Sequence, residues 1–154
     1  MKTLTVKVAT LMAICVLIYL PTFGQTLSTK TSTSEEAYVV EGYYKVRWGY
    51  AEEFLQLYKK NHYPLLKKAL EKGDILKIAM EKPRLHSSEE SRWDYKVTLV
   101  FKNVQTAIDP NLTEVYKKQL YPDNEKLTKE EQHRFELLIA HWDIAVQSVD
   151  LDKK

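Results

Sequence analysis

The chain is poor in cysteine and glycine: 154 residues carry one Cys and four Gly. A single thiol, Cys15, closes no disulfide within the chain and supplies no thiolate metal set. The sequence has no glycine-rich phosphate loop, nucleophile elbow or zinc-protease spacing. It has little excess of either charge, with 23 Lys and Arg against 21 Asp and Glu. Nucleic-acid binding requires a concentrated basic footprint, so that class of partner is excluded. No apolar run reaches the roughly 20 residues needed to span a bilayer as a helix. The longest, Val8 to Leu20, has 13.

What is there at the start fits export. Lys2 and Lys7 flank the beginning of the apolar run, and Thr22 and Gly24 supply small residues after it. This is the three-part pattern of a secretory signal peptide. It predicts residues 1–24 as a signal peptide cut after Gly24, a secreted or periplasmic product, and no membrane association after cleavage. Cys15 then reads as a small hydrophobe in a discarded segment; Ile14 before it is too large for a lipoprotein signal. Without Lys2 and Lys7 the remainder carries 21 basic and 21 acidic residues. Residues 25–36 are rich in Ser and Thr and lack periodicity, which predicts a disordered leader. Residues 37–151 remain, enough for one domain with an ordinary core.

Alternation predicts a first strand over 37–47, with Tyr38, Val40, Tyr44 and Val46 on one face and Glu41, Tyr43 and Lys45 on the other. A helix from Tyr50 to Lys72 follows, stopped by Gly73. At 100° per residue, Tyr58, Leu65 and Ala69 lie within about 60° of Phe54, and His62 at about 80°. The apolar stripe keeps its phase through Pro64, so one kinked helix is predicted. Proline there frees the carbonyl of Lys60. A second strand over 74–82 presents Leu76, Ile78 and Met80. A third over 92–101 presents Trp93, Tyr95, Val97, Leu99 and Phe101. Asp109-Pro110 reads as a helix start and Tyr121-Pro122 as its end. Thr128 with Glu131 reads as a capping box for a last helix whose apolar face is Phe135, Leu138, Ile139 and Trp142. His141 then sits near that helix's C-terminus, eight residues after His133. A last strand is predicted over 144–151, with a bulge between Val146 and Val149.

The order is α+β: ferredoxin-like βαββαβ, with a four-stranded antiparallel sheet and a split second helical region. The face away from the helices mixes Val39, Tyr43, Ile75, Ala79 and Val100 with Glu41, Lys45, Lys77, Asp94 and Lys96. It is too apolar for comfortable exposure and too charged for a monomer core, which predicts a homodimer.

With this order, N-H-Y-P-L-L at 61–66 resembles the H-x-P-L helix motif of the EthD-like branch of the dimeric α/β-barrel superfamily. The chain is also similar to exported bacterial proteins. The resemblance implies a dimeric α/β barrel with small molecules held between sheet and helices. It also implies company with cofactor-independent monooxygenases, lactone isomerases, polyketide cyclases and haem-degrading oxygenases.

Two groups of residues carry candidate chemistry. His62, Tyr44 and Tyr95 form a candidate catalytic set: an imidazole titrates near neutral pH and moves protons, and a tyrosine orients a substrate oxygen. The competing reading of His62 is a core histidine bonded to the Lys60 carbonyl or to a tyrosine. Trp93, Asp94, His86 and Arg92, around the loop between strands two and three, form a candidate ligand-binding set. His62, His86 and Asp94 could be combined as an iron-type triad, but no H-x-H or H-E-x-x-H spacing supports it, and neither a metal nor a cofactor is expected. The favoured reading is an exported dimeric domain that binds a small, aromatic or otherwise apolar organic ligand. The alternatives are a cofactor-independent enzyme with His62 as general acid or base, and a structural dimer without a site.

Overall fold

The computed structural model describes residues 36–153. The expected signal peptide and nearly all of the leader lie outside the described residues. Four strands form one antiparallel sheet in the order β2-β3-β1-β4. The strands are β1 Tyr38–Val46, β2 Ile75–Glu81, β3 Tyr95–Phe101 and β4 Leu138–Val146. Helices α1 Ala51–Leu57 and α2 Tyr63–Lys72 join β1 to β2. Helices α3 Val104–Ala107, α4 Glu114–Leu120 and α5 Asn124–Glu136 join β3 to β4. Among the described residues no helix is long and apolar enough to cross a membrane.

One face of the sheet meets the helices. Tyr44, Val46, Tyr95, Val97, Phe101 and Ile75 are buried there against Phe54, Tyr58, Leu66 and Ala69. The predicted inward faces of β1 and β3 are therefore correct from Tyr95 onward. On β2, Ile78 and Met80 pack against the core as predicted, but Leu76 does not. Ile75 pairs with Phe101 and Lys77 with Val100, so Leu76 is the extra residue of a bulge. Ile75 is fully buried and Leu76 is 53% exposed. The bulge shifts the alternation by one residue and puts Ile75 in phase with Ile78 and Met80. Trp93 is a second correction. It precedes β3 and packs edge-on against Tyr43 at 5.6 Å, on the face away from the helices.

The segment around Pro64 is continuous, as the apolar phase predicts, and its irregularity is a π turn. Tyr58–His62 form this wide turn between α1 and α2, closed by the Tyr63 N–H donating to the Tyr58 carbonyl. Pro64 has no N–H to give the Lys60 carbonyl. The Tyr121 hydroxyl donates to that carbonyl instead, at 2.8 Å. The far end stops as expected. Gly73 takes φ 83°, where a side chain would be strained, and Asp74 N–H reaches the Ala69 carbonyl at 3.0 Å. That is a Schellman closure.

The last third departs most from the sequence reading. α3 begins at an Asn103 cap, whose side chain accepts from Thr106 N–H. Asp109 accepts from Asn111 N–H in a turn, and α4 begins only at Glu114. α5 is capped by Asp123, which accepts from Lys126 N–H. Thr128 lies inside the helix, donating to the Asn124 carbonyl at 2.8 Å, so it is no cap. β4 runs from 138 to 146, not 144 to 151, and its irregularity falls opposite Lys45/Val46. Leu138, Ile139, His141 and Trp142 are therefore strand residues. Their spacing fits a helical stripe, but Tyr43 and Tyr44 on β1 pair with Trp142 and His141 and decide the matter. His141 is not a helix cap, and it shares no helix with His133.

Candidate functional site

The π turn sets His62 at the seam between α2 and α5. α5 grips this turn from across the chain. Glu130 takes Lys60 Nζ at 2.7 Å and Asn61 Nδ2 at 2.9 Å. Asn61 is 1% exposed, so its amide is spent on that contact. A single wide turn at a functional position is a recurrent use of π geometry. Here it turns the His62 ring toward a cavity of about 440 Å³ whose apolar lining is Leu65, Leu127 and Phe135. Glu131 and Arg134 of α5 supply charge to its lining, together with Lys117 and Gln132.

Arg134 is the buried cation of the site, 2% exposed. Its guanidinium makes two bonds to Glu131, at 3.1 and 2.8 Å, and lies 4.6 Å from the centre of the Phe135 ring. Glu131 also comes within 3.9 Å of His62 Nδ1, too long for a hydrogen bond. Burial, then the Arg134 charge, push His62 down to about 4, against the pull of Glu131. At neutral pH the imidazole is therefore uncharged. It keeps 31% of its side-chain surface exposed, so a ring edge is available to a ligand. The Lys60 carbonyl, which the competing reading gave to His62, accepts from the Tyr121 hydroxyl instead.

Behind His62 runs an aromatic series. Its ring meets Tyr58 at 5.1 Å, Tyr58 meets Tyr44 at 5.9 Å, and Tyr44 stacks on His141 at 4.3 Å and 8°. Burial pushes the Tyr44 phenol up to about 12 and raises that of Tyr58 further. Both stay protonated as hydrogen-bond donors. The Tyr58 hydroxyl is buried without a partner, as is that of Tyr116. An orphaned buried hydroxyl costs about 1–3 kcal/mol, a cost expected where a bound molecule or water completes the set.

The structure splits the sequence-predicted residues between two places. Tyr44 belongs with His62, through Tyr58. Tyr95 does not: its ring stacks on Phe54 at 5.8 Å and its hydroxyl donates to the Ala51 carbonyl at 3.1 Å. Tyr95 instead lines a second cavity, of about 310 Å³, together with Trp93, Asp94, His86, Arg92 and Trp48. The four residues proposed for ligand binding thus do converge, away from His62. Arg92 there is engaged by the fold. It bonds Glu89 at 2.6 Å, Asp94 at 2.7 Å and the Val46 carbonyl twice at 3.1 Å. Asp94 also takes the Val46 N–H at 2.7 Å. Bonds from Arg92 and Lys45 hold the Glu89 carboxyl at about 2, and Trp48 covers the guanidinium at 4.3 Å. This is a clasp that fixes the loop to the end of β1. His86 is an exposed loop residue beside it.

Sequence reasoning missed Tyr58, Glu131, Arg134, His141 and Asp143. The pattern A-H-W-D-I at 140–144 does hold a signal, since alternation puts His141 and Asp143 on one side and Trp142 and Ile144 on the other. Among the described residues no cluster of three or more His, Cys, Asp or Glu is placed to hold a metal ion.

No protein-family model matches the chain, and no curated protein matches it. Solved structures do. A dimeric ferredoxin-like protein from an uncultured marine organism matches with TM-score 0.52 at 10% identity, over 77% of this chain and 94% of that one. A NIPSNAP family protein from Agrobacterium tumefaciens matches with TM-score 0.47 at 12% identity, over 75% and 96%. A putative antibiotic biosynthesis monooxygenase from Bordetella bronchiseptica matches with TM-score 0.47 at 12% identity, over 75% and 99%. At such identities the first match establishes the fold alone, and the chain has the ferredoxin-like fold.

Proposed function

We propose that this chain is an exported, homodimeric, ferredoxin-like domain that binds a small apolar or aromatic molecule bearing a hydroxyl or carbonyl group, in the cavity beside His62. One observation carries this reading: an uncharged imidazole at the wall of a cavity with an apolar floor of Leu65, Leu127 and Phe135. Small-molecule sites combine an apolar lining with a few fixed polar groups. A neutral imidazole can donate from one nitrogen and accept at the other.

The homodimer rests on the second face of the sheet. Trp142, Ile144 and Val146 are 39%, 43% and 36% exposed. Tyr43 stacks flat on Trp142 at 5.3 Å. On the β2 side the same face carries Lys96 between Glu41 and Glu81, at 3.0 and 2.8 Å. A second copy would cover the apolar part and leave the ion pairs at its margin. The likeness to a dimeric protein of the same fold supports this.

The test is a fluorescence titration of 2-naphthol with the full chain. The reading predicts saturable binding, a rise in melting temperature with ligand, and about fivefold weaker binding for His62→Ala, from loss of one hydrogen bond worth about 1 kcal/mol. Binding that is absent, or indifferent to the substitution, defeats the reading and leaves a structural dimer. Native mass spectrometry of the same preparation reads the dimer directly.

A cofactor-independent enzyme is the second reading, favoured by a second imidazole, His141, on the far side of Tyr44. In that reading burial makes His62 a poor proton acceptor at neutral pH, so it would orient the substrate.

A further inference from the structure

The cavity beside His62 carries a charge imbalance. Its charged lining residues are Lys117, Glu131 and Arg134, two cations and one anion. Glu131 is committed to Arg134, three residues along the same helix. Its Oε1 accepts from Arg134 Nε at 3.1 Å and its Oε2 from Nη2 at 2.8 Å. Lys117 comes from α4, where its ammonium meets Glu114 at 2.5 Å, one turn back. That pair is partly exposed, with 38% and 50% of the two side chains open to solvent, so it is weak and easily exchanged. Glu114 does not line the cavity. One positive charge of the lining is therefore left over.

Arg134 also has a donor to spare. A guanidinium carries five N–H groups on three nitrogens. Glu131 takes Nε and Nη2, and Nη1 has no hydrogen-bond partner among the described residues. Among those residues, the side-chain atoms that are both unpartnered and sealed from solvent are the hydroxyls of Tyr58 and Tyr116. Nη1 is not one of them, so it meets open space, and the open space at Arg134 is this cavity. The rest of the side chain is fixed, 2% exposed and set against the Phe135 ring at 4.6 Å. A cation held this deeply with one nitrogen free is pre-organised for an acceptor that brings negative charge. His62 adds no charge of its own at neutral pH. Burial and Arg134 lower it most and Lys117 lowers it further, so the Lys117 charge is felt at the same wall.

We propose that the molecule held beside His62 is an apolar or aromatic carboxylic acid, bound ionised, whose carboxylate accepts from Arg134 Nη1 and draws Lys117 from Glu114, while its body lies on Leu65, Leu127 and Phe135. The inference rests on the ligand reading above and adds the ligand's chemical class. A carboxylate brings the lining to neutrality, with Lys117 and Arg134 set against Glu131 and the ligand. A phenol or a ketone offers the same acceptor oxygen and leaves the surplus charge in place.

The test compares two probes of one shape, 2-naphthoate and 2-naphthamide, by calorimetric titration of the full chain at neutral pH. Both present a carbonyl oxygen to Arg134, and the first alone is an anion. The proposal predicts that 2-naphthoate binds at least about tenfold more tightly, the ratio expected when a neutral hydrogen bond becomes charge-assisted. The ratio should fall as salt is raised. Lys117→Met removes a partly exposed side chain and leaves the fold intact; it should weaken 2-naphthoate about threefold and change 2-naphthamide by less than about twofold. Arg134→Met with Glu131→Leu removes the buried pair together, so neither charge is left unpaired. This double variant should bring the ratio down to about threefold, the part that Lys117 supplies. If it does not fold, Lys117→Met decides. Equal binding of the two probes by the wild type overturns the carboxylate assignment, and so does a preference undiminished in either variant. In those cases binding of 2-naphthol leaves the cavity reading standing. Failure of all three ligands to bind defeats both.

Discussion

Asp94→Ala separates a structural clasp from a ligand site at the second cavity. Asp94 Oδ2 accepts from Val46 N–H and from Arg92 Nη1, both at 2.7 Å. Val46 is fully buried and Arg92 is 5% exposed. Removing the carboxylate orphans a buried backbone donor, at a cost of about 1–3 kcal/mol. It also breaks one pairing of a buried cation, a change worth about 3–5 kcal/mol when nothing else compensates. Glu89 still compensates, through its bond to Arg92 Nε at 2.6 Å. The net loss should therefore lie near the low end, about 3 kcal/mol, or about 12 °C in melting temperature for a domain of this size. Asp94→Asn keeps an acceptor oxygen and should lose only about 1 kcal/mol. Urea denaturation followed by tryptophan fluorescence gives both values, with an unchanged m-value required for the comparison. A loss below about 1 kcal/mol for the alanine variant, or equal losses for the two, would refute the clasp. Polar residues kept for a ligand are cheap to remove from the unliganded fold.

Four further outcomes follow from the same geometry. His62 titrates near 6.5 when unfolded and about 4 when folded, so between those values the unfolded chain binds the extra proton. Its contribution to stability is complete above the upper value and is lost as pH falls toward the lower; His62→Gln should flatten this window in acid denaturation curves. The contribution of His133, raised by its bond to Glu53, runs the opposite way and cancels in the difference between the two proteins. Gly42→Ala places a Cβ 2.6 Å from Asp143 Oδ1 and should still change stability by less than about 1 kcal/mol, since the strand gains roughly 0.5–1 kcal/mol from losing glycine and Asp143 can swing outward. Tyr121→Phe should cost about 1 kcal/mol in the native chain and less when Pro64→Ala restores an N–H for Lys60, which a double-mutant cycle measures. Ile144→Lys should convert the proposed dimer to a monomer in sedimentation equilibrium while leaving the circular dichroism unchanged.

Local chemistry made much of the fold legible. The first strand, the Gly73 stop and the inward face from Tyr95 to Phe101 follow from alternation and turn residues, and so does the continuity of the helix through Pro64. The errors share one cause: a period is ambiguous when a long-range partner decides it. Leu138, Ile139 and Trp142 fit a helical stripe as well as a strand, and the choice is made by pairing with β1, about 95 residues away. Leu76 and Trp93 misled for a related reason, because a bulge or a strand end shifts side chains to the other face without marking the sequence. The site was legible in pieces. The His62 break and the tyrosine face of β1 pointed to it. Arg134 did not stand out, because an arginine four residues after Glu130 reads as a solvated helix face until α5 is docked on the π turn. His141 and Asp143 could be seen only once their segment was known to be a strand.

The central claim is that a small molecule sits beside His62. Its most direct test is a nuclear magnetic resonance titration of the isotopically labelled full chain with 2-naphthol. The account predicts shifts concentrated at His62, Leu65, Leu127, Arg134 and Phe135, with Trp48, His86 and Trp93 unmoved. Shifts centred on Trp48, His86 and Trp93, or none that saturate, would contradict it.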